Sequence, residues 1–338
     1  MSDYFLSICI PTYNRPKELK HLLHSIDAEA ADDIEIVITE DMSPKREQIR
    51  KVVNEYMEIS PYTVHYYENE DNYGYDKNIR QTAKKAQGCW VMYMGNDDLF
   101  VAHALDKYIK WMKKHNDLGY ILRRYRAIWP EGSQEEYRYD KQDIFFVPGE
   151  GAIIELYRRS IFISGFTFRK SCFNDYECDD FDGMLMFQVY ILSTICKDVP
   201  SAYCDIPITK WIVGGTPDFG KSESEKDLYE PGANTYQNSV NFLSQIGKLA
   251  DGIDRKLGTN IKPGVMKSYS KYSFGYLYEH RDDGIKVYRN YAKEIKKLGL
   301  GDSIYFYIYY YALLILGVRN CQKAIRLIKK AMGKTPKL

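Results

Sequence analysis

Short apolar runs alternate with amphipathic segments through the first 115 residues, and that rhythm leaves few folds open. Leu6–Pro11 (LSICIP), Ile34–Thr39 (IEIVIT), Tyr62–Glu68 and Cys89–Met94 are short, rich in β-branched, aromatic or apolar residues, and separated by polar or glycine-bearing turns, as buried strands are. Between them, a helix opening near Pro16 puts Leu19, Leu22, Leu23 and Ile26 on one face. A second, entered through Ser43 as N-cap and Pro44 in the first turn, carries Ile49, Val52, Val53 and Tyr56. A third spans Asp76 to Gln87. Strand and helix in alternation imply a mostly parallel sheet covered by helices, so the expected fold class is α/β and Rossmann-like.

Open sheets of this kind bind ligands beyond the carboxyl ends of their strands. The polar residues collect at those ends: Pro11, Thr12, Tyr13, Asn14 and Arg15 after the first strand, Glu40 and Asp41 after the second, Asn72, Gly74 and Lys77 after the third, and Asn96, Asp97 and Asp98 after the fourth. In the last cluster, WVMYMGNDDLF, the apolar run stops at Gly95 and two adjacent carboxylates follow. Like charges that close repel and are costly to desolvate. They suit a hard divalent cation, Mn²⁺ or Mg²⁺, which one or two carboxylates and the phosphates of a substrate commonly hold. The plainer alternative is a solvated acidic turn that caps the next helix.

Other chemistries are excluded by what the motifs lack. The first strand is followed by Pro11-Thr12-Tyr13-Asn14-Arg15, not by a Gly-x-Gly-x-x-Gly turn, and there is no G-x-x-x-x-G-K-[ST] loop. His21 and His24 have no acidic partner in a zinc-protease pattern, and no G-x-S-x-G elbow occurs. With 47 Lys and Arg against 46 Asp and Glu, net charge gives no reason to expect a nucleic-acid partner. Seven cysteines without a C-x-x-C pair point to reduced thiols, and MSDYFLSICIPTYNR lacks a secretory pattern, so a cytoplasmic setting is expected.

LSICIPTYNRPKELKHLLHSI, EIVITEDMSPKRE and NYGYDKNIRQTAKKAQGCWVMYMGNDDLF resemble, in order and spacing, the nucleotide-sugar-binding half of family 2 glycosyltransferases, which have the GT-A fold. The resemblance covers residues 4 to 115, more loosely to about 215. It implies that Thr12–Arg15 lie against base and ribose, that Asp41 or Glu40 accepts a hydrogen bond from them, and that Asn72, Gly74 and Lys77 border base and diphosphate. It places the Asp-x-Asp motif on Asn96-Asp97-Asp98, with Asp98 as metal ligand. Asn96 departs from the pattern: an amide adds no charge to a metal site. Asp76-Lys77-Asn78 also departs, standing where Ala-Arg-Asn is common.

Sugar transfer from a nucleotide requires a base for the incoming hydroxyl. The segment 174–192, NDYECDDFDGMLMFQVYIL, offers five acidic residues before a helix. The resemblance implies an Asp at such a helix start as the base, and Asp182 matches best, with Asp180 next. A helix N-cap is an equally open and compatible role for Asp182. Lys210 and Trp211 stand where relatives have a basic-aromatic pair touching diphosphate or acceptor. A buried Trp beside a surface Lys is the alternative.

The expected organisation is a GT-A catalytic domain over 1–220, with a nucleotide-sugar half (1–115) and an acceptor half (116–220), followed by a mostly helical region over 221–338. Within the latter, IYFYIYYYALLILGV (304–318) is apolar and aromatic but short of the roughly 20 residues that span a bilayer. Residues 319–338 carry seven basic residues and no acidic one. Together, 304–338 read as a membrane-surface segment, or as helices packed on the catalytic domain with a basic tail.

The function expected is inverting transfer from a nucleotide-sugar, foremost a UDP-sugar, to a glycan or lipid-linked oligosaccharide, in bacterial capsule, O-antigen or exopolysaccharide assembly at the inner face of the cell membrane. Two rivals are a degenerate transferase-like module binding glycan or a partner, and a sugar nucleotidyltransferase.

Overall fold

The structure is a computed structural model that describes residues 4–176, 178–215, 217–333 and 335. Glu177 of the acidic segment, and Lys334 and Lys337 of the basic tail, lie outside them. In chain order the nucleotide half comprises β1 (Tyr4–Thr12), α1 (Pro16–His24), β2 (Ile34–Glu40), α2 (Arg46–Met57), β3 (Thr63–Glu68), α3 (Tyr75–Lys85), β4 (Gly88–Tyr93), β5 (Leu99–Phe100) and α4 (Leu105–Lys114). Then come β6 (Tyr120–Ile128), β7 (Gln134–Tyr137), β8 (Ile144–Phe146), α5 (Glu150–Tyr157), β9 (Phe166–Arg169), α6 (Lys170–Tyr176), α7 (Phe187–Asp198) and β10 (Ser201–Ile212). The remainder is helical: α8 (Tyr236–Leu257), α9 (Lys262–Lys271), α10 (Phe274–Leu277), α11 (Ile285–Ile295) and α12 (Ile304–Met332).

One sheet runs through the molecule in the order β3-β2-β1-β4-β9-β6-β10-β5, with β7 on β6 and β8 on β10. The first four strands pair parallel, as their alternation with helices requires. β9 enters antiparallel between β4 and β6. It starts only at Phe166, because Gly165 turns at φ +82° and donates its N–H to the Tyr93 carbonyl at 2.7 Å before the strand begins. Pro207 has no N–H to give the ladder, and the β6–β10 register shifts on both sides of it.

Side chains alternate across the sheet and build two cores. Leu6, Ile8 and Ile10 of β1 join Leu19, Leu22 and Leu23 of α1, Ile49 and Val53 of α2, and Tyr108 of α4 on one face. Cys9, Val37, Val91 and Tyr93 face the other way, onto α3, α6 and α7. The helical region 236–332 has no core of its own. Leu249 and Ile253 of α8, Tyr269 of α9, Tyr291 of α11 and Leu313 of α12 continue the second core without a break.

Ser43 is not the cap of α2. The helix opens at Arg46 after Lys45, with no side chain bonded to its first turn, and the Ser43 hydroxyl has no partner. The fully buried Glu40 does the work instead, accepting from the N–H groups of Met42 (3.1 Å) and Ser43 (2.7 Å) and from Arg46 Nε (2.5 Å).

A shared core predicts cooperative melting. Leu249 is fully buried, and Leu249→Ala is expected to cost about 2–5 kcal/mol. Calorimetry should show the single transition of the whole chain moving down. A separate low-temperature transition for residues 221–338, with the rest unmoved, would mean that the two parts do not share a core.

Candidate functional site

The strand ends open into one cleft of about 1210 Å³. One wall is made by Pro11, Thr12, Tyr13, Arg15, Asp41, Asn72, Gly74, Asn96, Asp97 and Asp98, all expected from the sequence, and Trp211 lines the cleft as well. Six expected residues do not reach it: Asn14, Glu40, Lys77, Lys210, Asp180 and Asp182.

Asp41 organises the first part of the wall. It is 3% exposed and accepts from Asn69 Nδ2 (2.7 Å) and the backbone N–H groups of Tyr73 and Gly74, both at 2.9 Å. Burial raises its carboxyl from 3.8 to about 6 in spite of those donors. Gly74 has φ +77°, and a Cβ there would meet Ser222 Oγ at 2.3 Å, so only glycine fits. The chain 217–225 closes over this loop: Glu225 accepts from Tyr75 N–H at 2.7 Å and from Gly220 N–H at 2.9 Å. Glu225 and Asp218 are cleft residues that the sequence did not flag, since a segment rich in Gly, Pro and charge reads as a plain loop.

At the end of β4, Asp97 pairs with Arg15 and Asn96 Nδ2 donates to the Tyr13 carbonyl at 3.4 Å, which ties the first and fourth strand ends together. Asp98 is 3% exposed; it accepts from the Ser164 hydroxyl and from Ile212 N–H at 3.0 Å. Burial first, and the neighbouring Asp97 second, push its carboxyl from 3.8 to about 7. Among the described residues no cluster of three or more His, Cys, Asp or Glu is arranged to hold a metal. Asp97, Asp98 and the Asn96 amide oxygen are hard donors too few to cage an ion, but of the number used where substrate phosphates complete the shell. A cation would also relieve the charge that burial disfavours on Asp98. The residues therefore fit a divalent ion shared with a substrate.

The two candidate bases do not line the cleft. Both Asp182 oxygens are held by the buried Arg80, at 2.5 and 2.7 Å. Asp180 pairs with Lys256 on another surface. The start of α7 is instead served by a residue from α3: Asp76 accepts from Leu185 N–H (2.7 Å) and Phe187 N–H (2.8 Å). Leu185, a cleft residue, is held at φ +60°, which non-glycine residues seldom adopt. Glu40 is consumed by the start of α2, as above. Lys77 lays its ammonium 3.7 Å from the Tyr73 ring centre. Asn14 adopts φ +60° with its Oδ1 buried and unpartnered. Lys210 and Trp211 are strand neighbours and so face opposite sides, which is why only Trp211 enters the cleft.

Around Trp211 the second half of the cleft is aromatic and basic. Tyr125 and Tyr137 stack at 4.7 Å, and Phe162 and Tyr137 lie 6.0 and 6.2 Å from Trp211. Arg123, Arg138, Arg158 and Arg159 line the same wall. Arg123 had a signal in the sequence, since ILRRYRAI puts arginines inside an apolar strand. The far end is completed from the helical region by Phe242, Tyr276 and Thr335; the last exchanges hydrogen bonds with the Arg138 backbone, 2.8 Å from its own N–H and 3.1 Å to its hydroxyl.

Burial raises the Asp76 carboxyl from 3.8 to about 7. A raised carboxyl means that the folded state binds more protons than the unfolded one. Its contribution is therefore most favourable at low pH and is lost as pH rises through about 7. Asp76→Asn keeps an acceptor for one N–H and has no charge to bury. Its melting temperature should fall less between pH 5 and pH 8 than that of the native chain, measured by calorimetry at constant ionic strength; an equal fall would refute this account of Asp76.

Comparison with known proteins gives the same picture for the nucleotide half. The family model described as Glycosyl transferase family 2 matches residues 7–177. An uncharacterized glycosyltransferase of Haemophilus influenzae is 29% identical over 139 residues, covering 41% of this chain and 44% of that protein. The abequosyltransferase RfbV of Salmonella typhimurium is 28% identical over 102 residues, 30% of each. The chain thus spans between 30% and 52% of the length of the curated relatives it matches. Among solved structures, TarS 1-349 of S. aureus in complex with UDP-GlcNAc has a TM-score of 0.54 at 14% identity, covering 90% of this chain and 89% of that one. The mannosyltransferase PcManGT from Pyrobaculum calidifontis, in complex with GDP-Man and Mn²⁺, has a TM-score of 0.53 at 12% identity, covering 97% and 83%. At such identities the likeness is one of fold, and that fold is GT-A. With half of its length matched by the family model, and with that family's strand-end residues gathered in one cleft, the chain belongs to glycosyltransferase family 2.

Proposed function

We propose that the protein is an inverting glycosyltransferase that moves a sugar from a nucleotide-sugar, a UDP-sugar first among them, to a hydroxyl of a glycan acceptor, lipid-linked, in the assembly of a bacterial surface polysaccharide. The observation that carries this is the juxtaposition, in one cleft, of the Asp97-Asp98 pair and the Asp41-ordered loop with an aromatic platform at the other end. Thr12, Tyr13, Asn72 and Gly74 would take base, ribose and diphosphate. Trp211, Tyr125 and Phe162 present ring faces of the kind on which sugars stack.

In the reaction the bond from the anomeric carbon to the diphosphate oxygen breaks as the bond to the acceptor oxygen forms, the nucleoside diphosphate leaves, and the acceptor hydroxyl gives its proton to a carboxylate of the cleft. Asp98, with Asp97, would hold a Mn²⁺ or Mg²⁺ ion, which supplies charge stabilisation to the leaving diphosphate. Arg15, tied to Asp97 and 3.7 Å from Asp218, fixes the position of that carboxylate. Asp182, spent on Arg80, sets the backbone ahead of α7. A UDP-sugar is favoured because the TarS neighbour binds UDP-GlcNAc.

The acceptor's attachment to lipid draws support from α12. Ile304, Ile308, Tyr311 and Ile315 recur at helical spacing and are 53–77% exposed. After the break at Gly317 (φ +73°), exposed Leu327 and Ile328 stand among Lys323, Arg326, Lys329 and Lys330. Apolar side chains beside a cationic end suit the interface of an anionic membrane. No helix among the described residues is long and apolar enough to cross one.

Two measurements test the proposal. In a thermal-shift panel of UDP, GDP, CDP and dTDP with and without Mn²⁺, UDP with Mn²⁺ should raise the melting temperature, as saturation at 100-fold over Kd adds about 2.7 kcal/mol. Asp98→Asn should lose the metal-dependent part, and turnover by at least about 100-fold, while Asp182→Asn should cost stability more than turnover. No response to any nucleotide would sink the transferase proposal. Separately, the protein should sediment with vesicles containing phosphatidylglycerol and not with neutral ones, and Ile308→Asp/Ile315→Asp should abolish this; equal sedimentation of that variant would remove the role given to α12.

A further inference from the structure

Four arginines on the acceptor wall are unequally provided for. Arg138 is paired through Nε with Asp205 at 2.8 Å, and Arg159 lies 3.3 Å from Glu155 Oε1. Arg123 and Arg158 have no carboxylate at ion-pair distance among the described residues. Arg123 is 2% exposed; its Nε and Nη2 donate to the carbonyls of Ser164 (2.8 Å) and Phe162 (2.7 Å), and its Nη1 is buried with no acceptor. Arg158 has a buried Nε with no acceptor, and its guanidinium lies 3.8 Å from the Tyr272 ring. Arg123 lies 5.4 Å from the centre of the Tyr125 ring, and Arg158 lines the same cleft.

For Arg123, a guanidinium out of water without an ion-paired carboxylate is an expensive arrangement, and Arg158, partly exposed, keeps one buried N–H unsatisfied. Aromatic faces offset part of the cost but bring no negative charge. Neither arginine has an ion-paired carboxylate among the described residues, and both side chains line the cleft from which an anion would come. The guanidinium fork matches a phosphate in two-point geometry. Two unneutralised charges, with Arg159 beside them, fit a multiply charged phosphoryl group better than a single carboxylate.

We infer that the acceptor substrate carries a phosphoryl group, bound by Arg158 and Arg123 next to the aromatic platform. This rests on the transferase reading for the word acceptor, not for the site itself. The same chemistry is presented by the diphosphate of a lipid-linked glycan and by the phosphodiester of a glycan polymer. Arg158 is the better residue to change, because Arg123 also braces the Ser164 segment beside Asp98.

The test is calorimetric titration of the full chain with inorganic pyrophosphate in metal-free buffer, for native protein, Arg158→Gln and Arg158→Lys. UDP with Mn²⁺ is titrated in parallel. Pyrophosphate should bind the native protein, weaken by about tenfold or more in Arg158→Gln, and weaken less in Arg158→Lys. UDP affinity should stay within about twofold, which also certifies the fold of each variant. Tighter binding of geranyl diphosphate than of inorganic pyrophosphate would assign the lipid-linked source; equal binding would assign the polymer. Pyrophosphate that binds native and Arg158→Gln alike, or neither, overturns the inference, as does galacturonate that binds more tightly than pyrophosphate. UDP binding with no Arg158-dependent anion leaves the transferase standing without this subsite; the reverse pattern removes the donor and keeps the anion site.

Discussion

Carboxylates withdrawn from water and held by backbone N–H groups set the shape of this molecule's working face. Asp41 gathers the Tyr73–Gly74 turn, Glu40 the entry to α2, Asp76 the turn before α7, and Glu225 joins the start of α3 to the chain that closes over it. Each substitutes fixed amide dipoles for water, and each joins segments far apart in sequence. Desolvation keeps some of these groups near neutrality's edge, with Asp76 and Asp98 at about 7. Loops that would otherwise be free are thereby made into walls, at the cost of carboxylates that resist ionising.

Asp98 differs from the rest in kind. Asp41, Asp76 and Glu225 have two or more backbone donors each, whereas Asp98 has one, plus a hydroxyl, and shares its surroundings with Asp97. It is the carboxylate whose charge the protein alone does least to settle. Arg123, joined to it through Ser164, and Arg158 are cations with no carboxylate at ion-pair distance among the described residues. Opposed surpluses within one cleft are what a substrate with its own ions can neutralise.

Most of the nucleotide half was legible in the sequence because strand, turn and helix there follow one another with local signals. Ile34–Thr39 and Ile34–Glu40 differ by one residue as expected and observed strands, and the third helix begins within one residue of its expected start. The strand-end residues reach the cleft for the same reason. Where local pattern misled, a distant partner had intervened. Ser43 looks like a cap until Glu40 folds back, and nothing near Asp182 in the chain points to Arg80, some hundred positions away, as the partner of both its oxygens. Nothing in a linear string announces such a pairing. Arg123 stands out only as a charge in an apolar run.

The two walls also differ in how they are drawn from the chain. Residues 11–98 make most of the nucleotide side in one continuous stretch, but the acceptor side is assembled from Tyr125, Arg158, Trp211, Phe242 and finally Thr335, whose bonds to Arg138 bring the last turn of the protein to the rim. The family match over residues 7–177 takes in Tyr125 and Arg158 but stops short of Trp211, Phe242 and Thr335. Two chains that match there can therefore still differ in the part of this wall that the later residues supply.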